Sequence, residues 1–276
     1  MRSVRADRPS LTATLVAGAR ALYAAFPPGL RVGPDADATA LVPAPLTIPA
    51  WIAERAPWTA PLLHHAIGFA SLGMSWHVAL RTLAIDDAAR ASLGRGAGQI
   101  VLLGAGMDNR ATRLPEAAGA RVFEVDHPDM QRYKRARLPS AGVGGRIFVP
   151  VNFERDSLEE SLHGAGFSPA VPTFWIWEGV TPYLTRAAVD ATLRAVADNS
   201  APGSRLALTY MRPAADIGHG VDRLAGLLAR IVGEPVHAHA RYGRDEMARE
   251  LASFGFSVLS DEADSDLARR YWNDPQ

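Results

Sequence analysis

Cysteine is absent from the 276 residues. Disulfides, thiolate nucleophiles and cysteine-ligated zinc are excluded together. Net charge is absent too: the 29 basic side chains cancel the 29 acidic ones, and without a Lys/Arg block the electrostatic footprint of a nucleic-acid binder is missing. Lys134 is the one lysine, which reads as genomic base bias without functional content. No apolar run reaches the ~18–20 residues of a bilayer-spanning helix, so no membrane partner is expected. Met1-Arg2-Ser3-Val4-Arg5 ahead of the apolar stretch 11–19 has a signal-peptide look. Arg20 argues against it, and the spacing of Leu11, Leu15, Leu22, Tyr23 and Phe26 favours an amphipathic helix. The expected compartment is the cytoplasm.

What remains is ordinary globular composition, 48% hydrophobic and 21% charged, enough to bury a core without staples. The organisation changes near residue 95. Before it, helical patterns alternate with proline-rich turns: Pro27-Pro28-Gly29 ends a first helix, 32–49 reads as an ordered loop or lid, and a second helical stretch runs from about 61 through 90. After it, continuous apolar runs at 99–103, 121–125, 146–151, 174–177 and 205–210 alternate with helical segments such as 158–163 and 187–197. Such runs suit strands buried on both faces. The expected fold is α/β: a mostly parallel, doubly wound sheet over 96–276, a helical N-terminal cap over 1–95, and a helical lid insert at about 211–242. A further helix (245–254) and strand (256–259) are expected after it.

In such a sheet the ligand lies beyond the carboxyl ends of the strands, where strand order reverses. The first strand ends in Gly104-Ala105-Gly106-Met107-Asp108-Asn109, whose glycines permit tight curvature and close ligand approach. Asn109 occupies the third position of G-x-G-x-x-G, where a dinucleotide site needs a small residue, so a nicotinamide or flavin enzyme is disfavoured. Asp126, twenty residues past Gly106, can accept both ribose hydroxyls of a nucleoside or can cap the helix begun at His127-Pro128. Asn152 and Phe153 offer an edge and a face to adenine, or Asn152 opens a turn. Glu178-Gly179-Val180-Thr181-Pro182-Tyr183-Leu184 makes a poor core and a suitable pocket lining.

Other groupings carry less. His237 and His239 lack a third ligand nearby, so no metal is expected. His64, His65 and His163 read as surface or helix-end histidines, and Trp175 and Trp177 as core and cleft wall. Arg132, Lys134, Arg135 and Arg137 read as a solvated or ion-paired helix face. No nucleophile elbow and no P-loop occur.

Taken together, His77-Val78-Ala79-Leu80-Arg81-Thr82 with Asp86-Asp87, Leu103 to Asp108, Phe123-Glu124-Val125-Asp126, Lys134-Arg135-Ala136-Arg137-Leu138 and Trp177 to Leu184 resemble the leucine carboxyl methyltransferase family. Its bacterial relatives include O-methyltransferases of natural-product pathways. The resemblance implies a class I, Rossmann-like methyltransferase using S-adenosylmethionine. It implies that Arg81 pairs with the methionine carboxylate, that Gly104, Ala105 and Gly106 form the turn, and that Asp126 holds the ribose. Asn152 and Phe153 would flank the adenine, and Glu178 would lie near the methionine moiety. The family usually has aspartate where this chain has Asn152. The expected reaction is O-methylation of a carboxylate or phenolic hydroxyl on a small molecule, with Tyr183 orienting the acceptor and His77 and 217–232 as pocket walls. A homodimer is compatible with this. The alternatives are a catalytically inactive S-adenosylmethionine-binding relative and a nicotinamide-dependent oxidoreductase.

Overall fold

The computed structural model describes residues 10–33, 35, 37–138, 145–213 and 241–272. The chain begins with helices α1 (Leu11–Ala24), α2 (Ala38–Leu41), α3 (Ala44–Arg55), α4 (Ala60–Ala70) and α5 (Met74–Leu93). Ser10 caps α1 by accepting the Ala13 N–H at 3.0 Å; the expected helix is present, but of its expected apolar face Leu11 and Leu15 are exposed and Phe26 lies past its end. Its Leu22 and Tyr23 pack with Phe26, Ala53, Ala60 and Ala79 into a cap core.

Two expectations for this region need correction. The segment 32–49 is not a loop throughout, because α2 and the start of α3 lie within it. Pro45 sits in the first turn of α3, where its missing N–H costs nothing, and Pro49 removes one bond further in. The helical stretch 61–90 is two helices, parted where Leu72 and Gly73 take φ values of 52° and 82°. The Gly73 N–H returns to the Gly68 carbonyl at 2.8 Å, closing α4 in the manner of a Schellman turn.

Beyond α5 come β1 (Gln99–Leu103), α6 (Arg110–Arg113), β2 (Arg121–Asp126), α7 (Pro128–Arg135), β3 (Arg146–Pro150), α8 (Leu158–Gly164), β4 (Thr173–Trp177), α9 (Arg186–Asp198), β5 (Arg205–Leu208), α10 (Arg244–Ser253) and α11 (Asp264–Trp272). The strands form one parallel sheet in the order β3-β2-β1-β4-β5. They are apolar at successive positions because both faces are covered. Val101, Leu103, Phe123, Val125, Trp175 and Trp177 enter one core with Leu158 and Leu162 of α8, Val189 and Leu193 of α9, and Met247 and Leu251 of α10. The alternate positions Ile100, Leu102, Val122, Phe174 and Ile176 enter the other with Ile85 and Ala89 of α5. The doubly wound α/β architecture read from the sequence is therefore present.

The strand expected at 256–259 is not formed. Gly255 (φ 84°) turns the chain after α10, and Val258 and Leu259 are left exposed. Of the expected insert, residues 214–240 lie outside the described residues, and with them His237, His239 and the wall at 217–232.

Candidate active site

The chain leaves β1 toward β2 on one side and β4 toward β5 on the other, so the loops after β1 and β4 diverge and leave a crevice between them. At Gly104 (φ 70°) the two loops touch, and a Cβ there would collide with Val180. Only glycine satisfies both demands. The turn then aims the Gly106 N–H at Asp126 Oδ2, 2.5 Å away, while the His127 N–H reaches Oδ1 at 2.6 Å. Burial pushes the Asp126 pKa up, against the pull of these two N–H groups and of Lys134. Asp126 thus closes the turn and each oxygen retains acceptor capacity, but it is not the helix cap: His127 caps α7, its ring accepting the Asp129 N–H.

Arg81, Gly104, Ala105, Gly106, Asp126, Asn152, Phe153, Glu178 and Tyr183 all line one cavity of about 2980 Å³. Every site residue expected from the sequence is brought together there. The volume exceeds the roughly 300–1,000 Å³ of an ordinary ligand pocket because the crevice continues as a trough past β5, Met247 and Leu251.

Glu178 is the electrostatic centre. Its Oε1 accepts from Arg81 Nε at 2.9 Å and its Oε2 from Arg110 Nη1 at 2.7 Å. Burial would raise its pKa, but Arg110, Arg81 and Arg20 outweigh burial and hold it at about 2. Arg110 is wholly buried and also pairs with Asp108 and, at 2.7 Å, with Asp86, which Arg113 shares. Arg20 reaches in from α1 to the Met107 carbonyl (2.9 Å) and Asp108 (3.3 Å). Burial would lift the Asp108 carboxyl as well, yet Arg110 and Arg20 keep it below the usual range. Sequence reasoning missed Arg20 and Arg110. For Arg20 a signal was present, since a lone cation stands among the buried positions Ala17, Ala21 and Leu22 of α1.

Other residues settle into supporting places. Asn109, fully buried, donates to Asp35 (3.0 Å) and accepts from Arg146 (3.1 Å), so the third fingerprint position holds a side chain tied to the fold. Asn152 Oδ1 accepts the Glu154 N–H at 3.1 Å; the side chain opens a turn while lining the cavity. Trp175 and Trp177 are buried and absent from the cavity wall, which corrects the cleft-wall half of their reading. His64 is buried and bonded to the Tyr23 hydroxyl at 2.9 Å, so it is no surface histidine. Lys134 is not solvated: it is buried and paired with Glu124 at 2.6 Å.

Comparison with known proteins agrees with this geometry. The chain resembles a solved structure from Thermobifida fusca, provisionally named a methyltransferase, with a TM-score of 0.55 and 18% identity over 90% of this chain and 80% of that one. That likeness shows the fold. A protein of Parafrankia sp., named provisionally as an S-adenosyl-L-methionine-dependent methyltransferase, is 44% identical over 138 residues, or 49% of this chain and 44% of the relative. A protein of Mycobacteroides abscessus with the same designation is 36% identical over 228 residues, 81% of this chain and 70% of the relative. Residues 13–197 match the family described as leucine carboxyl methyltransferase. The chain belongs to the leucine carboxyl methyltransferase family.

Proposed function

We propose that the chain transfers the methyl group of S-adenosylmethionine to an oxygen, carboxylate or phenolic, of a small natural-product acceptor in the cytoplasm. The observation that carries this reading is the crevice at the strand-order switch, where the glycine turn, Asp126 and the Arg81–Glu178 pair line one cavity. The residues fit the cofactor. Arg81 has Nε on Glu178 and Nη1 toward His77, while its Nη2 lies 3.4 Å from where a Cβ of residue 179 would stand. The guanidinium as a whole lies over Gly179, with Nη1 and Cζ at 3.6 and 3.8 Å from the same point, and Nη2 is the nitrogen that neither Glu178 nor His77 takes; a carboxylate is the suitable partner for it.

Asp126 would take the ribose hydroxyls on its spare lone pairs, Glu178 would set negative charge beside the methionine ammonium, and Asn152 and Phe153 would flank the adenine. When bound, S-adenosylmethionine supplies an electrophilic sulfonium methyl for in-line displacement, a reaction governed by alignment. Tyr183 at the cavity wall would orient the acceptor. A carboxylate acceptor is already ionised and needs only positioning, whereas a phenol with a pKa of ~10 needs its proton removed. Calorimetric titration tests the reading: S-adenosylhomocysteine is expected to bind and NAD is not. Binding of NAD alone would return the sheet to the oxidoreductase class.

A further inference from the structure

A histidine named so far only as a pocket wall lies against Arg81, and an aspartate not assigned above lies behind it. His77, one turn before Arg81 on α5, has Nδ1 at 2.9 and 3.0 Å from the two carboxylate oxygens of Asp264, the first residue of α11. Its Nε2 lies 3.2 Å from Arg81 Nη1. A guanidinium has donors only. His77 Nε2 must therefore accept, which leaves its proton on Nδ1, donated to Asp264. The chain of contacts runs from Asp264 through His77 to Arg81 and on to Glu178, and it fixes the guanidinium, which lies over Gly179, at Nε and Nη1, so that Nη2 is the nitrogen it does not use.

We propose that Asp264 and His77 form a positioning relay that sets the plane of Arg81 for the cofactor's carboxylate. This rests on the assignment of Arg81 above. It gives α11, which lies beyond the family match at 13–197, a part in the site.

The test is calorimetric titration of S-adenosylhomocysteine into the full chain and five variants. Arg81→Ala reports the underlying assignment, and wild-type affinity in that variant would overturn the assignment itself. With Arg81→Ala weakened, His77→Ala and Asp264→Ala are expected to lose about twofold to tenfold, the value of one neutral hydrogen bond. His77→Gln is expected to recover most of that loss, because its amide oxygen can accept from Arg81. Equal affinities for His77→Ala and His77→Gln would overturn the relay. The variants are expected to fold, since α11 is held separately by Leu267 and Ala268 against Leu80 and by Trp272 stacked on Tyr23. Leu267→Ala, the fifth variant, loosens α11 without touching a relay atom. Recovery by His77→Gln in the Leu267→Ala background to the same degree as in the wild type would confirm that the bond to Arg81 is read, while loss of that recovery would assign the effect to helix packing.

Discussion

Glu124, inside β2, and Glu178, just past β4, are each clasped by two cations at nearly the same distances: 2.6 and 2.9 Å from Lys134 and Arg146, 2.7 and 2.9 Å from Arg110 and Arg81. Both are deeply buried, with side chains 1% and 8% exposed. The difference lies in what surrounds them. Glu124, Lys134 and Arg146 touch no part of the cavity, whereas Glu178 and Arg81 form its wall. A buried ion pair is therefore not by itself a sign of a site; one that a cavity reaches is. The closed clasp locks α7 and β3 to β2, and the open one leaves a guanidinium edge for a ligand.

Breaking the closed clasp should give the largest effect. Lys134→Met leaves Glu124 with Arg146 alone, and removing one partner of a buried pair costs about 3–5 kcal/mol. Urea unfolding would measure this as a lower midpoint with unchanged slope. Arg81→Ala in the open clasp should reverse the pattern. Glu178 keeps Arg110 and, unlike Glu124, stands on the cavity wall where water can reach it, so the melting temperature should move less, while affinity falls by about 1.5–3 kcal/mol for a lost charge-assisted bond.

The open clasp also has a pH signature. The Glu178 pKa of about 2 lies below the ~4.3 of free glutamate, so the folded state favours its charged form. Its contribution to stability is complete above the free value and is lost as pH falls toward about 2. Glu178→Gln removes this term. Unfolding free energies measured from about pH 5 downward should fall less steeply for the variant than for the wild type, and parallel curves would show that Glu178 is not held as described.

Strand positions were legible because a strand covered on both faces is largely apolar, as at 100–103 and 174–177, with buried polar residues such as Glu124 held by partners. The site residues were legible because they follow the strands at the switch point, where loop composition departs from core composition. Arg110 was not, since it follows the glycine turn closely and nothing local distinguishes a guanidinium aimed at Glu178, 68 residues on, from a solvated one. The exposed run at 256–259 failed for the opposite reason: Phe256-Ser257-Val258-Leu259 has strand composition, yet no described strand pairs with it. Lone charges on apolar helix faces, such as Arg20, are the transferable clue.

Asn152 sharpens the comparison at the smallest scale, because one side chain has a fold role and a proposed ligand role. Its Oδ1 takes the Glu154 N–H at 3.1 Å, and Asp156 takes the Asn152 N–H at 2.8 Å. Asn152→Asp keeps an acceptor in place, so the turn persists, and an ionised acceptor would hold an adenine amino group at least as well. Asn152→Leu removes the acceptor, and the lost turn bond is expected to cost about 0.5–1.5 kcal/mol of stability. If the adenine lies where proposed, the same substitution also weakens S-adenosylhomocysteine binding, whereas Asn152→Asp preserves or tightens it. Calorimetry and thermal melts on both variants separate the two roles. A Leu variant that melts lower but binds with wild-type affinity would leave Asn152 with its turn alone and move the adenine away from Phe153.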